Sequence, residues 1–333
     1  MSEESWDAVL PPMLRSAGLP DAGFSVEPLT GGVSSDIVKV TLRDGSHACA
    51  KRALAKLKVA TDWQAPLERN HYEVAWLRRA GAIVPANVPR VLAEDRERGI
   101  ALLQFLRPED HRLWKSELLA GRADPDLAIA VATTIGRIHA ATFRQSTDAA
   151  AFPTDALFDA LRLDPYLRHT ADRHPDLRAR ILTVLDATAA AKLVVVHGDV
   201  SPKNILVNIH SGQPVLLDAE CAWYGDPAFD AAFCLNHLVL KAIHLPALRH
   251  LLLEQAARFF TEWLSHLPVD HHATLEARTA ALLPCLMLAR VDGKSPVEYL
   301  SEQSRALVRE TSIPLIETPR SSLASVIAAV HLA

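Results

Sequence analysis

Residues Val194–Asp230 read VVVHGDVSPKNILVNIHSGQPVLLDAECAWYGDPAFD, and this stretch decides the fold class. Asp199 ends a His197-Gly198-Asp199 triplet, Asn204 follows closely, and Asp218 closes the apolar run Pro214–Leu217. The flanking runs Val194–Val196 and Ile205–Val207 predict short buried strands that fix the loop between them. Moving a phosphoryl group needs a carboxylate beside the attacking hydroxyl and oxygen ligands that hold Mg²⁺ on the nucleotide phosphates. Mg²⁺ is usually shared among one or two protein oxygens, phosphates and water. HGD or LLD alone would mark an ordinary turn, where Gly, Asp and Asn are common. Their ordered combination instead predicts a catalytic loop followed by a metal loop.

On the N-terminal side, Phe24–Leu29, Ile37–Leu42 and Ser46–Arg52 predict strands separated by Gly-Gly and Asp-Gly turns. Thr61–Ala80 has helical apolar spacing through Leu67, Tyr72, Trp76 and Leu77, with Gly81 as its stop. Val88–Ala93 and Gly99–Leu106 complete a five-stranded antiparallel sheet with one helix. After Pro108 the chain reads as mainly helical, with Leu127–Phe143, Val239–Phe260 and Ala273–Val291 as the main helical stretches. The expected class is α+β, with two lobes. A small antiparallel-sheet lobe spans residues 1–106, and a larger helical lobe carrying both loops and the acceptor site spans 107–333.

At 333 residues and 49% apolar content, two such lobes can bury sizeable cores. A net charge of −4 argues against a nucleic-acid partner. No apolar run is long enough to span a bilayer, so no membrane partner is expected. The start MSEESWDAVLPPML is acidic and lacks a signal-peptide layout. Cys49, Cys221, Cys234 and Cys285 form no CxxC pair, which predicts reduced thiols and a cytoplasmic protein. The near pairs His271 with His272 and His244 with His250 read as solvated helix histidines rather than metal ligands. Homodimer formation stays open.

Gly31, Gly32, Val33, Ser34 and Ser35 lie between two predicted strands, where backbone N–H groups of a small-residue hairpin can approach triphosphate oxygens. The segment departs from the GxGxxG of protein kinases, so which N–H groups touch phosphate stays open. Lys51, near the end of the next strand, can reach the α- and β-phosphates as a point charge. Arg52 is expected on the opposite face, toward solvent. Glu73 and Glu68 are the candidate anionic partners of Lys51 on the following helix.

HGDVSPKNILVN, then LLDAE, then GDPAFD resembles the aminoglycoside phosphotransferase and choline kinase family, distant relatives of protein kinases. The likeness runs over residues 24–240. AECAWYGDPAFD followed by Leu235, Asn236 and Leu238 is most similar to methylthioribose kinase-like members, which carry Asp-x-Glu where protein kinases carry Asp-Phe-Gly. The resemblance implies a protein-kinase-like fold with ATP and Mg²⁺ as cofactors. It implies Asp199 as catalytic base, Asn204 and Asp218 as Mg²⁺ ligands, and Glu220 on a second metal or a metal-bound water. It favours Glu73 over Glu68, because Glu73-x-x-x-Leu77 matches the family's helix. Leu103–Leu106 resembles the hinge, with Gln104, Phe105 and Leu106 offering backbone groups to adenine. His197 is expected to be structural, Lys203 either a phosphate contact or solvated, and Asp226 and Asp230 caps and braces.

The acceptor is expected against the helical lobe, facing Asp199. One candidate segment is Pro108–Asp126, with His111, Arg112, Trp114 and Lys115; the other is Arg290–Pro296, with Arg290, Asp292 and Lys294. Aminoglycosides are polycations and want a carboxylate-lined cleft, whereas Arg144–Arg180 is rich in arginine. A neutral or anionic small hydroxyl compound, sugar-like or amino-alcohol, fits better than an aminoglycoside. The expected activity is ATP- and Mg²⁺-dependent phosphorylation of that hydroxyl; the alternative is a nucleotide-binding sensor or scaffold without catalysis.

Overall fold

The computed structural model describes residues 4–29, 35–54 and 66–332. The chain divides into two compact units, Met1–Asp110 and His111–Ala333. The first contains α1 (Trp6–Ser16), β1 (Ser25–Pro28), β2 (Ser35–Thr41), β3 (His47–Ala53), α2 (Arg69–Ile83), β4 (Val91–Asp95) and β5 (Ile100–Gln104). The five strands form one antiparallel sheet in the order β1-β2-β3-β5-β4. The Asp44-Gly45 turn between β2 and β3 uses a positive φ of 81° at Gly45, which glycine adopts without strain. Alternate residues of β2, β3 and β5 (Val38, Val40, Ala48, Ala50, Ile100, Leu102) bury against Leu10 and Leu14 of α1.

Two local expectations need correction. Arg52 does not reach for bulk water: it stacks 4.5 Å over the Trp6 ring and pairs with Asp36 at 3.1 Å, clamping α1 to the sheet. The helix expected over Thr61–Ala80 is seen from Arg69, with 61–65 outside the described residues, and it continues past Gly81 to Ile83. Gly81 does not end the helix, and the position does not demand glycine, since a Cβ there would meet Val88 at ordinary contact distance.

The second unit opens with β6 (His111–Leu113), α3 (Trp114–Leu119), α4 (Leu127–Thr142), α5 (Ser146–Ala151) and α6 (Asp155–Phe158). The chain then winds as a π-helix over Asp159–Arg168, followed by α7 (His169–Arg173) and α8 (Arg178–Ala190). Four short strands come next: β7 (Val194–Val196), β8 (Ile205–Asn208), β9 (Pro214–Leu216) and β10 (Trp223–Gly225). They form a β10-β7 pair and a β6-β8-β9 sheet. The C-terminal part is α9 (Pro227–His244), α10 (Arg249–Ser265), α11 (His272–Asp292), α12 (Glu302–Glu317) and α13 (Leu323–Leu332).

Helix α9 is the axis of this unit. Asp226 accepts a hydrogen bond from Ala228 N–H and Pro227 takes the first turn, so cap and helix start follow from the GDP sequence. Nearly every residue of α9 is buried, and α10, α11 and α12 pack around it. The stretch expected to be one helix over Val239–Phe260 is two: Pro246 cannot continue the hydrogen-bond ladder, and the chain turns there between α9 and α10. Phe229 and Phe233 of α9 join Phe158, Trp223, Val194 and Val196 in a core that carries the β7–β8 loop, with Phe158 stacked 4.1 Å from Trp223. Among the described residues no single helix is long and apolar enough to cross a membrane.

Candidate active site

The loop between β7 and β8 is fixed from below by one buried carboxylate. Asp230, in the first turn of α9, accepts hydrogen bonds from His197 N–H and Gly198 N–H, each at 2.8 Å. His139 faces the same carboxylate at 3.2 Å, and Trp263 Nε1 donates to His139 Nδ1 at 3.0 Å. The indole donor leaves His139 Nδ1 as acceptor, so Nε2 carries the proton toward Asp230. Gly198 has φ +78°, and a Cβ there would sit 2.5 Å from the carbonyl oxygen of Cys221, so no other residue fits.

His197 is engaged at both ring nitrogens. Asp199 N–H donates to Nδ1 at 3.1 Å, and Nε2 lies 3.1 Å from Leu217 O, which makes Nε2 the protonated nitrogen. Burial lowers its pKa against the pull of Asp230, Asp199 and Asp218, keeping the ring neutral. It holds the loop and has no nitrogen left for a substrate.

The Asp199 side chain is the hub. Its Oδ1 accepts from Ser201 Oγ at 3.0 Å; its Oδ2 meets Arg162 Nη2 at 2.8 Å and Lys203 Nζ at 3.0 Å. Burial pushes its pKa up, yet Lys203 and Arg162 outweigh that and hold the carboxyl well below the usual carboxylate range. A carboxylate so stabilised is a weak base and a strong hydrogen-bond acceptor, suited to orienting a hydroxyl. Lys203 is thus a partner of Asp199, half-exposed, not a freely solvated lysine.

Arg162 was not singled out from sequence. It sits in the π-helical turn, buried, donates through Nε to Gly198 O, and lies over the rings of Tyr166 and Phe233 at 5.9 and 5.7 Å. The signal available was an arginine between two leucines, Leu161 and Leu163, in an apolar turn.

Asn204 Nδ2 donates to Asp199 O at 3.2 Å, and Leu217 N–H donates to Asn204 O at 2.9 Å, so the two loops are tied at that residue. Asp218 then turns the chain with φ +66°, a conformation that Asp tolerates better than most side chains. Asp218 and Glu220 are half-buried, and Ala219 between them is buried. Asn204, Asp218 and Glu220 offer only oxygen donors, which suit a hard cation. Among the described residues no three or more His, Cys, Asp and Glu side chains converge into a metal cage. That donor set fits Mg²⁺, which takes one or two protein oxygens and fills the rest of its shell with phosphate and water.

In the first unit, Lys51 Nζ lies 2.8 and 2.7 Å from the two carboxylate oxygens of Glu73, both side chains buried. Glu68 is exposed at the start of α2. Ser35 is buried at the start of β2, opposite Ala53; Gly31, Gly32, Val33 and Ser34 lie outside the described residues. Gln104 ends β5, its N–H donating to Arg90 O at 2.8 Å, and Phe105 and Leu106 follow without regular structure.

The Arg290–Pro296 segment divides. Arg290 Nη1 donates to Tyr166 Oη at 3.1 Å and to Ser295 Oγ at 3.0 Å, and its side chain borders a cavity of about 60 Å³ that Lys203 also lines. Asp292 is engaged elsewhere by Arg309 at 2.9 and 3.1 Å and His174 at 2.9 Å, and Lys294 pairs with Asp164 at 2.9 Å. From the Pro108–Asp126 segment, Lys115 reaches the same cavity, while Trp114 is core.

The chain is similar to known phosphotransferases in sequence and fold. Methylthioribose kinase of Yersinia enterocolitica is 28% identical over 230 residues, 61% of this chain and 56% of the relative. That of Pectobacterium carotovorum is 26% identical over 254 residues, 69% of this chain and 63% of the relative. The chain thus spans about three-fifths of the length of these relatives. An aminoglycoside phosphotransferase from Alicyclobacillus acidocaldarius shares the fold at 16% identity and TM-score 0.55, covering 100% of this chain and 98% of that one. Ethanolamine kinase of Plasmodium vivax does so at 13% identity and TM-score 0.55, covering 94% and 86%. The model of the Phosphotransferase enzyme family (APH) matches residues 25–267, more than two thirds of the sequence, and the chain belongs to that family.

Proposed function

We propose that this protein is an ATP- and Mg²⁺-dependent kinase that phosphorylates a hydroxyl of a small molecule, with a methylthioribose-like sugar as the nearest analogue. The observation that carries the proposal is Asp199, a buried carboxylate kept ionised by Arg162 and Lys203 on a loop braced by Asp230. A carboxylate in that setting accepts the hydrogen bond of the acceptor hydroxyl and aligns its oxygen for in-line attack. Because the transition state is loose, alignment matters more than early proton removal. The proton then leaves through Asp199 as the new O–P bond forms and the bond to the nucleotide breaks.

Lys51, oriented by Glu73, is proposed to hold the nucleotide's α- and β-phosphates, with Gly31–Ser35 over the phosphates and the backbone of Gln104–Leu106 at adenine. Asn204 and Asp218 are proposed as the Mg²⁺ ligands, with Glu220 on a metal-bound water. Mg²⁺, when bound, neutralises charge on the phosphate oxygens. A nucleotide-binding scaffold would gain nothing from confining two cations around Asp199.

The test is release of ADP and labelled product from γ-labelled ATP with a panel of hydroxyl compounds. Turnover by the wild type that Asp199→Ala abolishes, with nucleotide binding retained, is expected. ATP binding without transfer to any member would favour the scaffold.

A further inference from the structure

The cavity beside the catalytic loop lies wholly within the second unit and is lined by Lys115, Lys203, His237, Lys241, Arg290 and Tyr299, among others. Four of these side chains are cationic, and Glu298 is the one carboxylate on its wall. Lys115 is neutralised by Glu298, and Lys203 by Asp199. Lys241 and Arg290 form no ion pair with any described residue, although their exposures are 1% and 9%. Lys241 sits on an otherwise apolar turn of α9, its ammonium 5.0 Å over the ring of Tyr299.

Three further polar atoms on this wall are buried without a hydrogen-bond partner among the described residues: His237 Nε2, Arg290 Nε and Tyr299 Oη. Buried polar groups are ordinarily paired, and what sets this wall apart is that three such atoms line one cavity together with two buried cations that form no ion pair among the described residues. Each of these groups can donate to an oxyanion, Arg290 through its Nε because Nη1 already serves Tyr166 and Ser295. The cavity, about 60 Å³, has room for one such group.

We propose that this cavity is an anion-binding subsite of the acceptor site: the acceptor carries a carboxylate or phosphate that docks on Lys241 and Arg290 while its hydroxyl lies at Asp199. This rests on the kinase reading above and narrows it. Continuity with the catalytic loop runs through Lys203, which touches Asp199, and through Tyr166, whose ring has Arg162 and Arg290 at 5.9 and 5.6 Å. Burial, with Lys115 and Arg290 nearby, brings the Lys241 ammonium down to about 7, and a bound anion would draw its proton back.

The test uses the full chain and three matched compounds: ribose, ribonate and a ribose phosphate, with inorganic phosphate as a fragment. Calorimetry should show binding of at least one anion and none of ribose. Lys241→Met and Arg290→Met should weaken that binding at least tenfold while leaving ATP affinity unchanged, and whichever anion binds tells carboxylate from phosphate. Absence of anion binding to the wild type, unchanged binding in both variants, or a shift in ATP affinity alone would overturn the proposal. If an anion binds as expected but no member is phosphorylated from γ-labelled ATP, the subsite stands and the transfer reading falls. Phosphorylation of ribose with no anion binding is the reverse.

Discussion

Replacing Lys241 by methionine should make the protein more stable and less able to hold its acceptor, a combination that a structural lysine would not give. Burial, then Lys115 and Arg290, lower the Lys241 ammonium to about 7, against weaker opposing effects of Cys234 and Glu298. In the unfolded chain a lysine titrates at about 10.4, so between these values the unfolded state binds the extra proton and wild-type stability rises with pH. Below pH 7 the folded protein carries the full cost of the buried charge, on the order of 5 kcal/mol at about 1.4 kcal/mol per tenfold change. Replacing buried ions with apolar residues of similar volume typically gains about 1–4 kcal/mol. At roughly 2–4 °C per kcal/mol, Lys241→Met should melt several degrees above the wild type at pH 6. The difference between the two proteins should shrink as the pH is raised toward 9, because other groups titrate alike in both. Scanning calorimetry at pH 6, 7, 8 and 9 measures it, and phosphate should close the gap by stabilising the wild type alone. A variant that melts lower at pH 6, or a gap independent of pH, would refute the reasoning.

Asp199→Asn should reduce turnover by about 10²- to 10⁴-fold while leaving Mg·ATP affinity intact, as titration calorimetry and steady-state rates would show. Because Lys203 and Arg162 overcome the opposing effect of burial and hold the Asp199 carboxyl below the usual range, its stabilisation is present at neutral pH. That stabilisation is lost only as pH falls through the depressed value, and a wild-type rate profile should show no loss from this group between pH 7 and 5. Asp218→Ala should weaken Mg·ATP binding itself, since the cation loses a charged oxygen ligand; unchanged affinity would remove Asp218 from the metal site. Arg162→Met should lower kcat without raising the KM for ATP and should cost about 3–5 kcal/mol of stability, read from denaturant unfolding, because Lys203 is then the sole cation beside Asp199 among the described residues.

The sheet of the first unit was legible because each strand is short, β-branched or alternating, and bounded by Gly or Asp turns. The two loops proposed for catalysis and metal binding were legible as a unit because Asp199, Asn204 and Asp218 lie on one continuous segment. What sequence reasoning missed comes from residues far apart in the chain that the helices bring together. Arg162 reaches Asp199 only because the π-helical turn packs beside β7, and no local pattern records that. His237 and Lys241 did carry a signal: with Asn236 they are the polar groups inside the otherwise apolar run Cys234–Ile243, which reads as a buried helix that should not hold an unpaired charge. The break between α9 and α10 was visible as Pro246, but the apolar spacing on both sides of it masked the turn.

The most direct measurement is transfer from γ-labelled ATP, with Mg²⁺, to matched neutral and anionic hydroxyl acceptors by the wild type and Asp199→Asn. The account predicts labelled phosphate ester on an anionic acceptor, formed by the wild type and at least a hundredfold slower in the variant. Equal rates in the two proteins, or label found only in free phosphate, would contradict it.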